Sequence, residues 1–352
     1  MRLKTKSPDA RAGKGRRRYL MAKKGGCRRQ ADIFRMRLLR EMKEIVDRPI
    51  EAAVDRTKTG WVAGVYREFG RPQTTVAALY YFALGREAAD YPICGGFVGE
   101  IRAVRRYHET DCPKLEKWVD RAKLFGRLPE DAILEPLVGE FVPPEAEEAE
   151  EGEVGVKEAG AAGSERPRIE LWMAGPGLAR LVLPVCMKMD AALISVDGRP
   201  TPEAAERLID RARGARSRGR RPTVVFCLSD LSPSGVVFCR DLASLIKYQI
   251  SSGGDGPDLR MGRVGLSPRQ VLDLGIPTIP GRAGSKEEKK FYSRRVKPHG
   301  LDPERIAELD AIEARHPGGI TGFVEEVLAR LGGEGFDFEG KDQLVEISRG
   351  CL

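Results

Sequence analysis

The sequence predicts a two-domain α+β protein, with a helical amino-terminal domain and a carboxy-terminal α/β domain on a parallel sheet. Three observations predict it. Apolar residues recur at helical spacing from Ile33, apolar runs of strand length alternate with helical stretches from Arg168, and residues 142–167 between them are largely Glu, Ala, Gly and Pro without an aromatic. Such a segment buries too little apolar surface to offset the entropy of ordering it, so it reads as an acidic linker.

Residues 1–30 are basic, contain Gly and lack a hydrophobic period, and read as a flexible arm. Residues 31–141 form the helical domain. Ile33, Met36, Leu39, Met42 and Ile45 recur every three residues, which fits an amphipathic helix ending near Pro49. The stretch RPQTTVAALYYFALG predicts a helix opened by Thr74 or Thr75 and stopped by Gly85. VGEIRAVRRYHETDCPKLEKWVDRAKLFG predicts another, rich in Arg and Lys; short helices with little strand signal suggest a helix-turn-helix type of unit. Residues 168–335 alternate: strand RIELWMA, helix GLARLVLPVCM, strand AALISV, helix TPEAAERLIDRARGAR, strand TVVFCLS, helix GVVFCRDLASLIKYQI, strand RMGRVGL and helix SPRQVLDLG. Alternation at this length implies βαβ units, hence a parallel sheet covered by helices. Residues 336–352 are left as a tail.

The formal net charge is +8, and it is unevenly spread. Basic residues crowd the arm, including Arg16, Arg17 and Arg18, and the helix carrying Arg207, Arg211, Arg213, Arg216 and Arg218. Two separate basic blocks point to a polyanionic partner, with nucleic acid the default. The seven cysteines include no C-x-x-C pair, which argues against a zinc finger or a disulfide framework and fits a reducing cytosol. No apolar run approaches the roughly 18–20 residues that span a bilayer, and no apolar stretch follows the basic start, so no membrane partner and a cytoplasmic location are expected. The Gly175-Pro176-Gly177 turn lacks the third Gly of a dinucleotide fingerprint and the chain has no P-loop, so no nucleotide cofactor is expected.

The segment VVFCLSDLSPSGVVFC, Val224 to Cys239, concentrates the chemistry. A buried strand here delivers Asp230 to a Pro-Ser-Gly loop that re-enters a helix, the end of an open α/β sheet where ligands bind. Alternation along the strand points Asp230 and Ser232 the same way, as two metal ligands on one strand end would have to point.

The string VVFCLSDLSPSGVVFCRDL resembles the strand and helix around the Asp-x-Asp-Pro-x-Gly motif in Toprim domains of the topoisomerase VI A-subunit superfamily, which includes the meiotic double-strand-break endonucleases and short phage and plasmid relatives. IELWMAGPGLARLVLP, ISVDGRPTPEAA and MGRVGLSPRQVLDLGIPTIP are similar to the other Toprim strands. LYYFALG with KWVDRAKLFGRLPEDAI is similar to the winged-helix part. The resemblance covers roughly residues 70–330. It implies a winged-helix-like domain followed by a Toprim-like domain, with Tyr81 as nucleophile on a DNA phosphate, Mg²⁺ on the Toprim carboxylates, and a homodimer in which one protomer's Tyr meets the other's metal.

Three positions depart from the family pattern. The Glu ending the first Toprim strand falls on Ala174, the second Asp of Asp-x-Asp on Ser232, and the Arg three before the Tyr pair on Ala77. Asp230 and Ser232 are then the remaining metal ligands, with Glu170 on the same strand face as Ala174 but about 13 Å further back at strand rise. A metal held by one carboxylate binds weakly. The resemblance therefore implies a double-stranded-DNA-binding protein, nucleoid-associated, with cleavage weakened or lost and Mg²⁺ held weakly at most. Its alternatives are an active Mg²⁺-dependent transesterase, and a scaffold or regulatory partner of a complete relative or of an ATPase-type subunit.

Overall fold

The computed structural model describes residues 54–95, 100–143, 167–217, 222–253, 256–281, 284–329 and 344–347. In chain order these form α1 (54–69), α2 (Val76–Leu84), β1 (Tyr91–Gly95), β2 (Glu100–Arg105), α3 (Cys112–Leu124) and β3 (Gly139–Phe141). Then follow β4 (Arg168–Ala174), α4 (Ala179–Lys188), β5 (Ala191–Val196), α5 (Pro202–Ser217), β6 (Thr223–Leu228), α6 (Gly235–Gly253), β7 (Leu259–Arg263) and α7 (Pro268–Asp273). The last are β8 (Ile279–Pro280), α8 (Lys286–Val296), β9 (Arg305–Ile306), α9 (Asp310–Arg315), α10 (Gly319–Ala329) and β10 (Leu344–Ile347).

The protein is mixed α/β. Its six-stranded sheet runs β10-β7-β6-β4-β5-β3, with β7, β6, β4 and β5 parallel and the edge strands β10 and β3 antiparallel. Every residue of β6 (TVVFCL) is buried, because a central parallel strand is covered on both faces, and all but Thr223 are apolar. From β4 the chain moves one way through α4 to β5, then back across β4 through α5 to β6. Right-handed crossovers in opposite directions put α4 on one face and α5 on the other. On the second face α5 and α6 close a core of Trp172, Ile194, Leu208, Val225, Phe238 and Leu242. On the first, α4 packs with α10 over Leu171, Met173, Leu193 and Phe226, the alternate residues of the same strands.

The four parallel strands and the helices α4 to α7 fall where apolar runs and helical periods predicted them. So does α2: Thr75 caps it by accepting the Ala78 N–H, and Gly85 ends it. Elsewhere the sequence reading needs correction. The stretch expected to be helical from Val98 contains strand β2, paired with β1, before α3 begins at Cys112. Two segments assigned outside the sheet join it as edge strands: β3, from the end of the predicted helical domain, and β10, from the predicted tail. The arm, the helix from Ile33 and nearly all of the 142–167 linker lie outside the described residues.

The described residues fall into two compact units, one of 54–58 with Pro92–Val104 and one of Thr59–Tyr91 with Arg105 onward. Within the second unit, α2 packs directly against α9, so most of the predicted helical domain groups with the sheet. Edge strand β3 is fixed by charge as well as by its ladder. Glu170 of β4 is fully buried and accepts from Arg168 Nε (3.2 Å), Trp172 Nε1 (3.0 Å) and Arg211 Nε and Nη2 (2.8 and 2.9 Å), and Arg211 Nη1 reaches Glu140 of β3 at 2.6 Å. Removing one partner from a buried charge network leaves the other uncompensated, at a cost of about 3–5 kcal/mol. Glu170→Ala is therefore expected to lower unfolding stability by about that amount in urea titration; a loss below about 1 kcal/mol would mean that Arg211 is satisfied by Glu140 alone.

Candidate functional site

The loop after β6 is held from several directions. Ser232 Oγ accepts the Gly235 N–H at 3.0 Å and so caps the long helix α6. Gly235 lies so close to the Asp230 carbonyl that a Cβ there would sit 2.2 Å from its oxygen, so only glycine fits. From beneath, the buried Arg263 guanidinium donates to Ser229 Oγ, the Ser229 carbonyl and the Asp230 carbonyl at 3.1, 3.2 and 2.8 Å. Burial and the nearby Arg295 charge bring Arg263 down to about 10.

A distant segment completes the arrangement. Leu231 and Ala307 exchange both backbone hydrogen bonds (2.9 and 3.1 Å), an isolated antiparallel bridge. Two residues on, the Leu309 N–H donates to Asp230 Oδ1 at 2.8 Å. This places Glu308 and Asp310 beside Asp230 and against α2, where Tyr81 donates its hydroxyl to Glu308 Oε2 (2.9 Å) and Thr75 donates to Asp310 Oδ1 (2.6 Å).

The electrostatics follow from crowding acids into an interior. Burial pushes the Asp230 carboxyl up to about 7; Glu308 and Asp310 add to the rise, while the Leu309 N–H and Arg263 oppose it. Burial likewise raises Asp310 to about 6 against the Thr75 hydrogen bond. The Tyr81 phenol is raised far above its ordinary value, first by burial and then by the Glu308 charge and hydrogen bond. Its side chain is wholly inaccessible to solvent.

A cleft of about 230 Å³ opens at the carboxyl ends of β4, β5 and β6, lined by Ala174, Arg199, Asp230, Ser232, Ser234 and Asp241 among others. It lies where β4 and β6 part company in the winding order, the usual ligand position in such sheets. Its side-chain oxygens are largely committed to other partners. Ala174 contributes no oxygen, Ser232 Oγ caps α6, and Asp241 lies 3.5 and 3.6 Å from Arg199 and Arg240. Among the described residues no three His, Cys, Asp or Glu side chains form a group that could hold a metal ion.

The structure thus brings together Tyr81 and Asp230, through Glu308, within one chain. Glu170 is elsewhere: it pairs opposite Val225, well before the strand ends, and its carboxylate is occupied by Arg168, Arg211 and Trp172. Ser232 is a helix cap. Of the arginines expected to face nucleic acid, Arg211 is drawn inward to Glu170 and Glu140, Arg207 pairs with Glu140 at 2.7 Å, and Arg213 lies 3.7 Å from Asp210. Arg216 is half-buried at the end of α5, and Arg16, Arg17, Arg18 and Arg218 lie outside the described residues. Sequence reasoning missed Glu308, Asp310 and Arg263. The Glu-x-Asp spacing at 308–310 was the one local signal, but nothing in it announces contact with Asp230. No protein-family model matches the chain, and no curated protein is significantly similar to it.

The raised carboxyls predict a pH dependence of stability. Asp ionises near 4 when unfolded, whereas the folded chain retains protons on Asp310 to about 6 and on Asp230 to about 7. Between those limits the folded state binds more protons, so stability falls as pH rises, by up to about 1.4 kcal/mol per pH unit for each group. Asp230→Asn with Asp310→Asn keeps an acceptor for Leu309 and Thr75 and removes the titration. Its melting temperature is expected to exceed that of the wild type at pH 8 and to converge with it near pH 4; an equal offset at both pH values would exclude the two carboxyls as the source.

Proposed function

We propose that the chain is a duplex-DNA-binding protein of the topoisomerase VI A-subunit type, winged-helix-like in its helical part and Toprim-like in its sheet, that does not cleave DNA. The observation that carries this reading is the state of Tyr81. Its phenol is sealed in the interior and donates to a carboxylate, while the strand end facing Asp230 presents Ala174. A phenol attacks phosphorus only as phenolate or with metal assistance. Here burial and the Glu308 charge both oppose phenolate, and of the two carboxylates that line the cleft Asp230 is raised towards its neutral form and Asp241 lies beside Arg199 and Arg240. What remains for such a scaffold is binding: a chain of net charge +8 retains affinity for a phosphate backbone without the cleavage chemistry. Assembly as a homodimer, or with a complete relative or an ATPase-type subunit, belongs to the same reading.

One observation favours a rival. Tyr81 Oη and Glu308 Oε2, 2.9 Å apart, have the geometry of a nucleophile and its base, which the local sequence around Tyr81 does not supply. That pairing becomes catalytic only if α2 moves to expose the phenol. Mg²⁺ or Mn²⁺ titration with labelled supercoiled DNA, read in native and denaturing gels, separates the two. The expected result is salt-sensitive binding with no covalent adduct at any metal concentration, and Tyr81→Phe binding within twofold of wild type. A metal-dependent adduct lost in both Tyr81→Phe and Glu308→Gln would establish the transesterase instead.

A further inference from the structure

Helix α8 carries a row of cations that has no counterpart on the helices where the sequence concentrates arginine. Its sequence is KEEKKFYSRRV, followed by Lys297. At 100° per residue, Glu288, Tyr292 and Val296 fall on one side, and all three are buried. Tyr292 fastens that side by donating to the Arg305 carbonyl at 2.6 Å. Lys286, Lys290 and Arg294, spaced i, i+4 and i+8, fall on the opposite side and are exposed, with exposed Lys289 and Lys297 flanking them. Among the described residues none of these five lies within ion-pair distance of a carboxylate, in contrast to Arg207, Arg211 and Arg213 of α5. Ordinarily a helix carrying Glu287 and Glu288 would neutralise part of such a row. Glu288 is instead withdrawn into the capping box of α8 and an ion pair with Arg199, while the exposed Glu287 forms no ion pair among the described residues.

The same helix is moored beside the cleft. Arg199 lines the cleft and holds Glu288, Gly284 packs on Pro233 of the Asp230 loop, and Phe291 lies 5.3 Å from the Arg240 guanidinium and 4.7 Å from that of Arg295. Phe291 is therefore already covered by arginine and offers no open ring for stacking a base, so this surface is suited to a phosphate backbone. From Lys286 to Arg294 the row extends about 12 Å, over which a duplex presents about seven phosphates.

We infer that the outward face of α8, through Lys286, Lys290 and Arg294, is the surface that docks the nucleic-acid duplex, and that the Arg-rich helix α5 is not. The inference rests on the DNA-binding reading above and locates its interface. Unpaired cations give the largest counterion-release effect, because they surrender no existing ion pair on binding.

The test compares two triple variants of equal charge, Lys286→Ala/Lys290→Ala/Arg294→Ala on α8 and Lys188→Ala/Lys247→Ala/Arg269→Ala at exposed sites elsewhere. A fluorescent 30-base-pair duplex is titrated by anisotropy across salt, with melting temperatures confirming folding. The α8 variant is expected to lose on the order of tenfold in affinity at moderate salt and about three from the slope of log K against log salt, roughly one per residue. The elsewhere-substituted variant should stay within twofold of wild type. Wild type bound to DNA with both variants alike would overturn the α8 assignment and leave the DNA-binding reading standing; wild type failing to bind duplex even at low salt would remove that reading itself. Loss of binding to phosphatidylserine vesicles by the α8 variant, with duplex binding intact, would reassign the face to an anionic membrane surface and overturn the inference.

Discussion

The hydrogen bond from the Leu309 N–H to Asp230 is the contact on which the rest of the site depends. With the paired backbone bonds between Leu231 and Ala307, it ties a segment near residue 310 to the end of a strand formed some eighty residues earlier. Helix α9 starts there, and α2 packs on α9, with Thr75 on Asp310 and Arg71 on Glu313 at 3.0 Å. That anchor acts with the packing of α9 on α10, and of α10 on α4, to fix α2 against the sheet. A carboxylate serving as a structural acceptor is constrained by the role: one oxygen is committed, and burial favours its neutral form.

That constraint explains why these residues support a fold more readily than a reaction. A cluster in which Asp230 and Asp310 are both pushed towards neutrality holds its geometry through backbone and hydroxyl donors. A metal site needs the reverse, ionised oxygens free to converge on one point. Tyr81 is in the same position. Its bond to Glu308 helps seal the α2 face and leaves the residue without solvent access.

The legible part of the fold was the part with a strong local signature. Strands β5 and β6 read as largely apolar runs because both faces are covered, β4 and β7 as shorter runs interrupted by charged residues, and the helices between them carry plain apolar stripes. Strand β3, three residues long, and β10, beyond the last clear period, gain their structure from a neighbour's ladder and have no pattern of their own. The site was half legible. Asp230 stood out because a strand, an acid and a Pro-Ser-Gly turn coincide, whereas Glu308 and Asp310 reach it only through tertiary pairing. Glu170 stands as far back from the strand end as its spacing from Ala174 implies, and the partners that occupy it, Arg168, Trp172 and Arg211, include one from a helix that no local pattern ties to it.

The ion pairs of the α5 arginines were illegible for a related reason, and that reason has a general form. Density of positive charge along a sequence says nothing about where the opposing carboxylates will fall. On α5 they arrive from two other strands, Glu140 and Glu170, and convert Arg207 and Arg211 into braces between layers. On α8 Glu288 is turned inward to Arg199 and the cap and the exposed Glu287 lies in no ion pair among the described residues, which leaves Lys286, Lys290 and Arg294 with no carboxylate partner among them. An arginine already bonded to two carboxylates must break those bonds to meet a phosphate, and buried ones regain little by doing so. The capacity of a basic helix to bind a polyanion is therefore set by its unpaired cations rather than by its total, and on that measure the less arginine-rich helix is the better phosphate-binding surface.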